Sequence, residues 1–130
     1  MKPETRNFLH KARSDLADAK KVAAIELANI AARSAYYAAF HAAEGLIFER
    51  TGKVAKTHSG VRSEFARLAR ETPRIGKEFV AFLAEAYKFK EISDYNVDQS
   101  QSLTIDEAGR AITSAERFLA VVASLLESQF

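Results

Sequence analysis

The sequence predicts an all-α protein, an antiparallel up-and-down bundle of about five helices in a single domain over residues 1–130. Two observations predict this fold class. Apolar residues recur at steps of three and four along most of the chain, which is the spacing of one face of an α-helix. No stretch of useful length shows the apolar and polar alternation of a half-buried strand. A chain of 130 residues is long enough to bury one core and short enough to form one domain.

The first two predicted helices cover about residues 4–24 and 26–51. Pro3 and Thr5 stand where a helix start places such residues, and Gly52 is a suitable C-terminal cap for the second helix. The second helix carries two apolar stripes and is therefore expected at the centre of the bundle. One stripe contains Ile30, Ser34, Tyr37, His41, Glu44 and Phe48, and the other contains Tyr36, Phe40, Ala43 and Ile47.

The third and fourth predicted helices follow a loop over residues 53–59. The third helix must end before Pro73, because a proline disfavours helical backbone in the residue that precedes it. The fourth helix extends from Ile75 to near Asp94. The apolar residues on their inner faces are Val61, Phe65 and Leu68 in the third helix and Ile75, Phe79, Phe82, Ala86 and Phe89 in the fourth.

A polar loop over residues 96–102 leads to the fifth predicted helix. Thr104 and Glu107 have the spacing of a capping box, in which each side chain accepts a hydrogen bond from the other residue's backbone N–H. The apolar residues that follow form a seam that can face either the core or a second subunit. They are Ala108, Ile112, Ala115, Leu119, Val122 and Leu126.

The composition excludes several kinds of site. The chain has no cysteine, so disulfides, zinc knuckles, iron–sulfur clusters and thiol catalysis are excluded. The five glycines form no glycine-rich phosphate loop, and the three histidines lack the spacing of a helical metal-binding pair. The first 25 residues do not resemble a signal peptide, and the longest nearly apolar run, 118–126, is too short to cross a membrane. We therefore expect a cytoplasmic protein without a cofactor, a metal ion or a membrane partner.

The charged residues are unevenly distributed, although the net charge of the whole chain is only +2. Residues 50–77 contain eight basic and two acidic side chains, whereas residues 91–107 contain five acidic side chains and no lysine or arginine. The basic segment can follow a nucleic-acid backbone. Alternatively, it is a solvated face that pairs with the acidic segment within the fold or across a dimer.

Three polar residues of the second helix share one face. Arg33, Tyr37 and His41 are four residues apart, so they lie within a sector of about 80°. They can form a polar strip that reaches a ligand or a second subunit. Alternatively, the tyrosine and the histidine pack in the bundle while Arg33 lies at its edge.

A second group of candidate residues lies around the loop before the third helix. His58 is accompanied by Lys53, Lys56 and Arg62, and the N-terminus of the third helix would add its partial positive charge. Such a group can hold phosphate oxygens. In the alternative interpretation, Ser59 caps the third helix and His58 packs against it.

Three sequence blocks resemble the HEPN domain family, in the branch of small stand-alone bacterial and archaeal proteins. The first block is Arg33-Ser-Ala-Tyr-Tyr-Ala-Ala-Phe-His41-Ala-Ala-Glu-Gly-Leu46, and the second is Lys56-Thr-His-Ser-Gly-Val61 with Phe65 after it. Asp94-Tyr95, at the end of the fourth helix, is the third. The resemblance covers about residues 5–125 and implies an all-α bundle that dimerises. It also implies a minimal nucleotidyltransferase partner, often within a toxin–antitoxin module.

Many HEPN proteins are metal-independent ribonucleases, and the resemblance makes this activity a candidate. Their motif is an arginine, four to six residues, and then a histidine. The arginine stabilises the charge of the phosphate, and the histidine moves the proton of the attacking ribose hydroxyl. No Arg–His pair of this sequence has that spacing.

The end of the fourth helix differs from the pattern of the family branch. Lys90 stands where that branch usually has arginine, and Asp94 stands where a nuclease can have a polar catalytic group. The candidate catalytic residues are therefore His41, Asp94 and Lys90. Because Lys90 and Asp94 are four residues apart on a helix, a simple ion pair is the alternative interpretation.

Three functions are consistent with these observations. The first is an RNA-directed toxin or defence protein, whose candidate RNA- or phosphate-binding residues are Arg33, Lys53, Lys56, His58 and Arg62. The second is a non-catalytic, nucleotide- or partner-binding subunit of a nucleotidyltransferase complex, in which Tyr37 and Tyr95 are candidates for partner contact or modification. The third is a helical homodimer with a structural role only.

Overall fold

The computed structural model describes residues 1–95 and 97–127, with the backbone alone at residue 99, and this part of the chain contains five α-helices and no strand. The helices are α1 (Pro3–Ala24), α2 (Ala28–Thr51), α3 (His58–Arg70), α4 (Lys77–Tyr95) and α5 (Ile105–Glu127). A short 3-10 turn over Gln99–Gln101 lies within the segment predicted as a loop. The predicted all-α fold is confirmed.

Helices α1 and α2 form an antiparallel pair. Near one end, the backbone N–H of Lys2 donates to Glu49, and further along, Asp15 faces His41. The second helix begins at Ala28 rather than at residue 26 as predicted, because Glu26 adopts a positive φ of 62° and breaks the helical path. The turn leaves Ile25 exposed.

A glycine allows α1 and α2 to approach closely. A Cβ atom built on Gly45 would lie 3.3 Å from the Cβ of Phe8 and 3.6 Å from the backbone oxygen of Thr5. Both atoms belong to or adjoin the backbone of α1, so they cannot move aside without moving the helix.

Helix α2 is the central helix, as the sequence predicted, since it packs against all four other helices. Of its two apolar stripes, the one that contains Tyr36 and Phe40 is buried in the core. The other lies at the boundary with solvent: Ile30 is exposed, and Tyr37 and His41 are half-buried. The second stripe is therefore the one that supplies accessible side chains.

Local signals define the ends of the other helices. Thr57, not Ser59, is the N-cap of α3, because its hydroxyl accepts a hydrogen bond from the backbone N–H of Gly60 at 2.9 Å. As a result, His58 lies in the first turn of α3 and not in a loop. Helix α4 begins at Lys77 rather than Ile75, because Ile75 belongs to the preceding turn, where its backbone N–H donates to the carbonyl oxygen of Thr72. The side chain of Ile75 is nevertheless buried in the core.

Helix α5 begins with the predicted capping box. The backbone N–H of Thr104 donates to Glu107 at 2.9 Å, and the backbone N–H of Glu107 donates to the Thr104 hydroxyl at 3.1 Å. The apolar seam of α5 faces the core of the chain itself, and all six of its residues are buried. None of the helices in the described ranges is long and apolar enough to cross a membrane.

Candidate functional site

The carboxylate of Asp94 connects the ends of two helices. Its Oδ1 accepts a hydrogen bond from Arg33 Nε of α2 at 2.6 Å, and its Oδ2 lies 3.2 Å from Lys90 Nζ, one turn earlier in α4. Burial alone would raise the pKa of Asp94, but the hydrogen bonds from Arg33 and Lys90 outweigh it and hold the pKa below its usual range. Asp94 is therefore ionised at neutral pH with both oxygens occupied, which makes it a poor general base.

Arg33 and Lys90 each lie close to a tyrosine ring. The guanidinium of Arg33 lies 4.8 Å from the ring centre of Tyr37, and Lys90 Nζ lies 5.2 Å from the ring centre of Tyr95. Burial opposes the charge of Lys90, but the hydrogen bond to Asp94 and the neighbouring tyrosines together raise its pKa. Lys90 thus carries a full positive charge, although only 10% of its side chain is exposed.

His58 packs into the aromatic side of α2. Its ring stacks on Phe40 with 4.6 Å between ring centres, and its Nδ1 lies 2.5 Å from the hydroxyl of Tyr36. Burial lowers the pKa of His58, and the positive charges of Lys90 and Arg62 lower it further. Burial also raises the pKa of the Tyr36 phenol. Both groups are therefore neutral near pH 7.

Arg62 lies one helical turn after His58 and stacks on Tyr87 of α4, with the guanidinium carbon 4.4 Å from the ring centre. In the described ranges no carboxylate lies within ion-pairing distance of Arg62, and its buried Nη1 has no hydrogen-bond partner. The neighbouring Glu91 is engaged with the Tyr87 hydroxyl, and this hydrogen bond raises the pKa of Tyr87. Arg62 is thus a cation whose charge no adjacent anion neutralises.

These contacts join residues of three helices into what we call the cationic–aromatic cluster. Tyr87 is at its centre, since its ring contacts His58 at 5.3 Å, Arg62 at 4.4 Å and Lys90 at 5.8 Å. The cluster consists of Arg33 and Tyr37 from α2, His58 and Arg62 from α3, and Tyr87, Lys90, Asp94 and Tyr95 from α4.

Three of the candidate residues lie outside the cluster. His41 is engaged with two carboxylates, since its Nδ1 lies 2.8 Å from Glu44 Oε1 and its Nε2 lies 3.5 Å from Asp15 Oδ2. Its ring approaches Tyr37 at 5.8 Å, but both nitrogens face α1 and α2 carboxylates. Lys53 and Lys56 are exposed between α2 and α3, and no described contact joins either side chain to the cluster.

Sequence reasoning missed Tyr87. A usable signal was present, because Tyr87, Lys90 and Asp94 follow one another at steps of three and four and therefore share a face of α4. The same reasoning did not foresee the role of Tyr36, whose partner is 22 residues away in the sequence.

Within residues 1–95 and 97–127, no three His, Asp or Glu side chains are grouped so that they could hold a metal ion.

Comparisons with known proteins identify a family and a similar solved structure. The family model described as "HEPN domain" matches residues 5–125 of the chain. The crystal structure of TT1696 from Thermus thermophilus superposes with a TM-score of 0.79 at 25% sequence identity, and the match covers 95% of this chain and 98% of that chain. No curated protein matches the sequence.

Proposed function

The protein belongs to the HEPN domain family, which indicates a function related to nucleotides or RNA, and we propose that it binds RNA through the cationic–aromatic cluster without cleaving it. We further propose that it does so as a homodimeric component of a toxin–antitoxin or defence module, together with a nucleotidyltransferase partner. The observation that supports this proposal most directly is that Arg62, which has no ion-pairing carboxylate among the described residues, lies over the half-buried ring of Tyr87.

This combination suits single-stranded RNA. Positive side chains attract the phosphate backbone, and aromatic rings stack on bases that are not paired. Tyr95 is 69% exposed, so its ring is available to a base. Arg62 and Lys90 both lie near the ring of Tyr87, which places positive charge next to aromatic surface.

The state of the candidate catalytic groups His41, Asp94 and Lys90, and of Arg33, supports the proposal that the RNA is not cleaved. A ribonuclease of the Arg–His type needs a free arginine for the phosphate and an imidazole that can accept the proton of the ribose hydroxyl. Arg33 is hydrogen-bonded to Asp94. His41 Nδ1 is hydrogen-bonded to Glu44, and its Nε2 lies 3.5 Å from Asp15 Oδ2. Asp94 itself is ionised with both oxygens occupied.

Fluorescence anisotropy with a labelled single-stranded RNA tests the proposal, with intact RNA monitored on a gel in the presence of EDTA. We expect Arg62→Ala to weaken binding about ten-fold, within the range for a charge-assisted contact. Arg110→Ala is a matched control, because Arg110 is an exposed arginine of α5 outside the cluster. Equal loss in both variants would show that only net charge matters, and RNA cleavage that His41→Ala abolishes would contradict the non-catalytic part.

A second candidate function rests on the exposure of Tyr95. Its hydroxyl lies at the last residue of α4, and its ring contacts Lys90, a cation that could bind the phosphates of an incoming nucleotide. In nucleotidyl transfer, the phenolic oxygen would attack the α-phosphorus of ATP, pyrophosphate would leave, and the phenolic proton would pass to a base of the transferase. Mass spectrometry after incubation with the transferase and ATP tests this function, with Tyr95→Phe as the control. An unmodified Tyr95 would remove it.

A further inference from the structure

The Tyr36 hydroxyl determines where His58 carries its proton. Tyr36 is fully buried, and in the described part of the chain its hydroxyl contacts one polar atom, Nδ1 of His58, at 2.5 Å. If Nδ1 carried the proton and the hydroxyl accepted, the phenolic hydrogen would be buried without an acceptor. An unsatisfied buried donor costs about 1–3 kcal/mol. Tyr36 therefore donates, and Nδ1 accepts.

It follows that neutral His58 carries its proton on Nε2. Nε2 has no hydrogen-bond partner among the described residues, and it does not belong to the buried atoms that lack one, so it is open to solvent. Nε2 can then donate a hydrogen bond to a ligand but cannot accept a proton, because its lone pair is not available while Nδ1 remains bonded to Tyr36. His58 is thus suited to binding an anionic oxygen and is poorly suited to act as a general base.

Arg62 supplies positive charge for the same ligand. It is four residues after His58 on α3, so the two side chains share one face of the helix. Both contact the ring of Tyr87. Guanidinium Nε and Nη2 of Arg62 have no partner within the described ranges and are not buried. The ring of Tyr87 holds the guanidinium in place, and a guanidinium with two free donors can bind a phosphate through two parallel hydrogen bonds.

The acidic neighbours do not compete for these donors. Glu44 accepts from His41 at 2.8 Å, and Glu91 is engaged with the Tyr87 hydroxyl. These are the two carboxylates whose charges act on the imidazole, and both are occupied by other groups. An anion at His58 and Arg62 would meet two free donors and a local excess of positive charge from Lys90.

We propose that His58 Nε2–H and Arg62 together bind a phosphate group of a nucleotide or of RNA, and that Tyr36 is the positioning residue that keeps His58 a donor. This inference rests on the proposed RNA-binding function and specifies the group that the RNA presents at α3. It also assigns His58 a role in binding and not in proton transfer.

The first test determines which ring nitrogen of His58 carries the proton in the protein without a ligand. Long-range ¹H–¹⁵N correlation spectra of ¹⁵N-histidine-labelled protein at pH 7.5 should show His58 protonated on Nε2. In Tyr36→Phe, which keeps the ring and removes the hydroxyl, the His58 signals should move toward those of mixed tautomers. A His58 protonated on Nδ1 in the unmodified protein would overturn the inference, whether or not the protein binds RNA.

The second test uses small probes, so that its result does not depend on RNA binding. We expect 5′-AMP and inorganic phosphate to shift the His58 Nε2 signal and adenosine to leave it unchanged. His58→Gln, whose amide can donate from a position close to Nε2, should retain AMP affinity within about three-fold, whereas His58→Leu should lose about ten-fold or more. Thermal unfolding of each variant confirms that it is folded.

The outcomes separate the two proposals. If RNA binds and His58→Leu binds RNA and AMP as well as the unmodified protein does, the phosphate site is wrong and the proposed function stands. If AMP and phosphate bind through His58 but RNA does not bind, the phosphate site stands and the proposed function fails. If adenosine shifts His58 as strongly as AMP does, the ligand is held by its base, and the phosphate assignment is overturned.

Discussion

Arg33 Nε donates a 2.6 Å hydrogen bond to Asp94 Oδ1 across 61 residues of sequence. This contact ties the first half of α2 to the end of α4, and Lys90 binds the second oxygen of the same carboxylate. A single aspartate therefore binds two cations, so the three side chains together keep one positive charge, at the end of α4 where Tyr95 is exposed. Because Asp94 lies at the centre of this arrangement, its substitution is the most direct way to test it.

We expect Asp94→Asn to lower the free energy of unfolding by about 1–2 kcal/mol. The effect is no larger because Arg33 is partly exposed, and solvent weakens its attraction to Asp94. The variant leaves the largely buried Lys90 ammonium without an anion. Urea denaturation measures the change. Asp18→Asn, at an exposed position of α1, is the control and should change stability by less than about 0.5 kcal/mol. Equal stability of the two variants would show that the Asp94 contacts contribute nothing net.

Asp94 should also make stability depend on acid pH. Its pKa in the folded protein is held below the ordinary value of 3.8, so the unfolded chain binds the proton more readily. The contribution of Asp94 is therefore fully present above about pH 5 and is lost as the pH falls through the folded pKa. The difference in unfolding free energy between the unmodified protein and Asp94→Asn should shrink as the pH is lowered toward 3. A difference that stays constant between about pH 7 and pH 3 would contradict this assignment.

The pKa of His58 in the folded protein should be lower than that of a free histidine side chain. Its pKa is lowered from the ordinary 6.5 by burial and by Lys90 and Arg62, so its ring signals should titrate with a midpoint below 6.5. Arg62→Ala removes a positive neighbour and should raise this midpoint, whereas the Arg110→Ala control should not change it. Because the folded pKa is lowered, the stability that His58 contributes is present above about pH 6.5 and declines as the pH falls through the folded pKa. A midpoint above 6.5 would contradict the neutral state on which the phosphate site depends.

Two glycine substitutions should separate helix propensity from close packing. Gly109→Ala should stabilise the protein by about 0.5–1 kcal/mol, because alanine favours the helix and nothing lies within 4 Å of its added Cβ. Gly45→Ala gains the same propensity, but its Cβ would press on the Cβ of Phe8. We therefore expect it to be less stable than Gly109→Ala by at least about 1 kcal/mol. Equal thermal stabilities of the two variants would show that α1 can move away from α2 at no measurable cost.

Much of the fold could be predicted because its signals are local. Thr104 and Glu107 cap α5 with atoms three residues apart, and Gly52 ends α2 with a φ of 72° that suits glycine. The ion pair of Lys90 with Asp94 followed from their spacing on one helix. The N-cap of α3 is Thr57, whereas one interpretation of the sequence placed it at Ser59, since either residue can cap a helix and only the backbone path distinguishes them.

By itself, the sequence determined the helical fold and the central position of α2, because periodicity acts within single helices. Most of the residues of the candidate site were also named from the sequence, through the charge pattern and the resemblance to a family. Only the tertiary structure decided which of those residues meet. It turned His41 toward Asp15 and Glu44, brought Arg33 to Asp94, and placed His58 against Tyr36 and Tyr87. These contacts depend on how each helix is rotated against its neighbours. That rotation is set by the packing of the whole core. It cannot be predicted from a local pattern in the sequence.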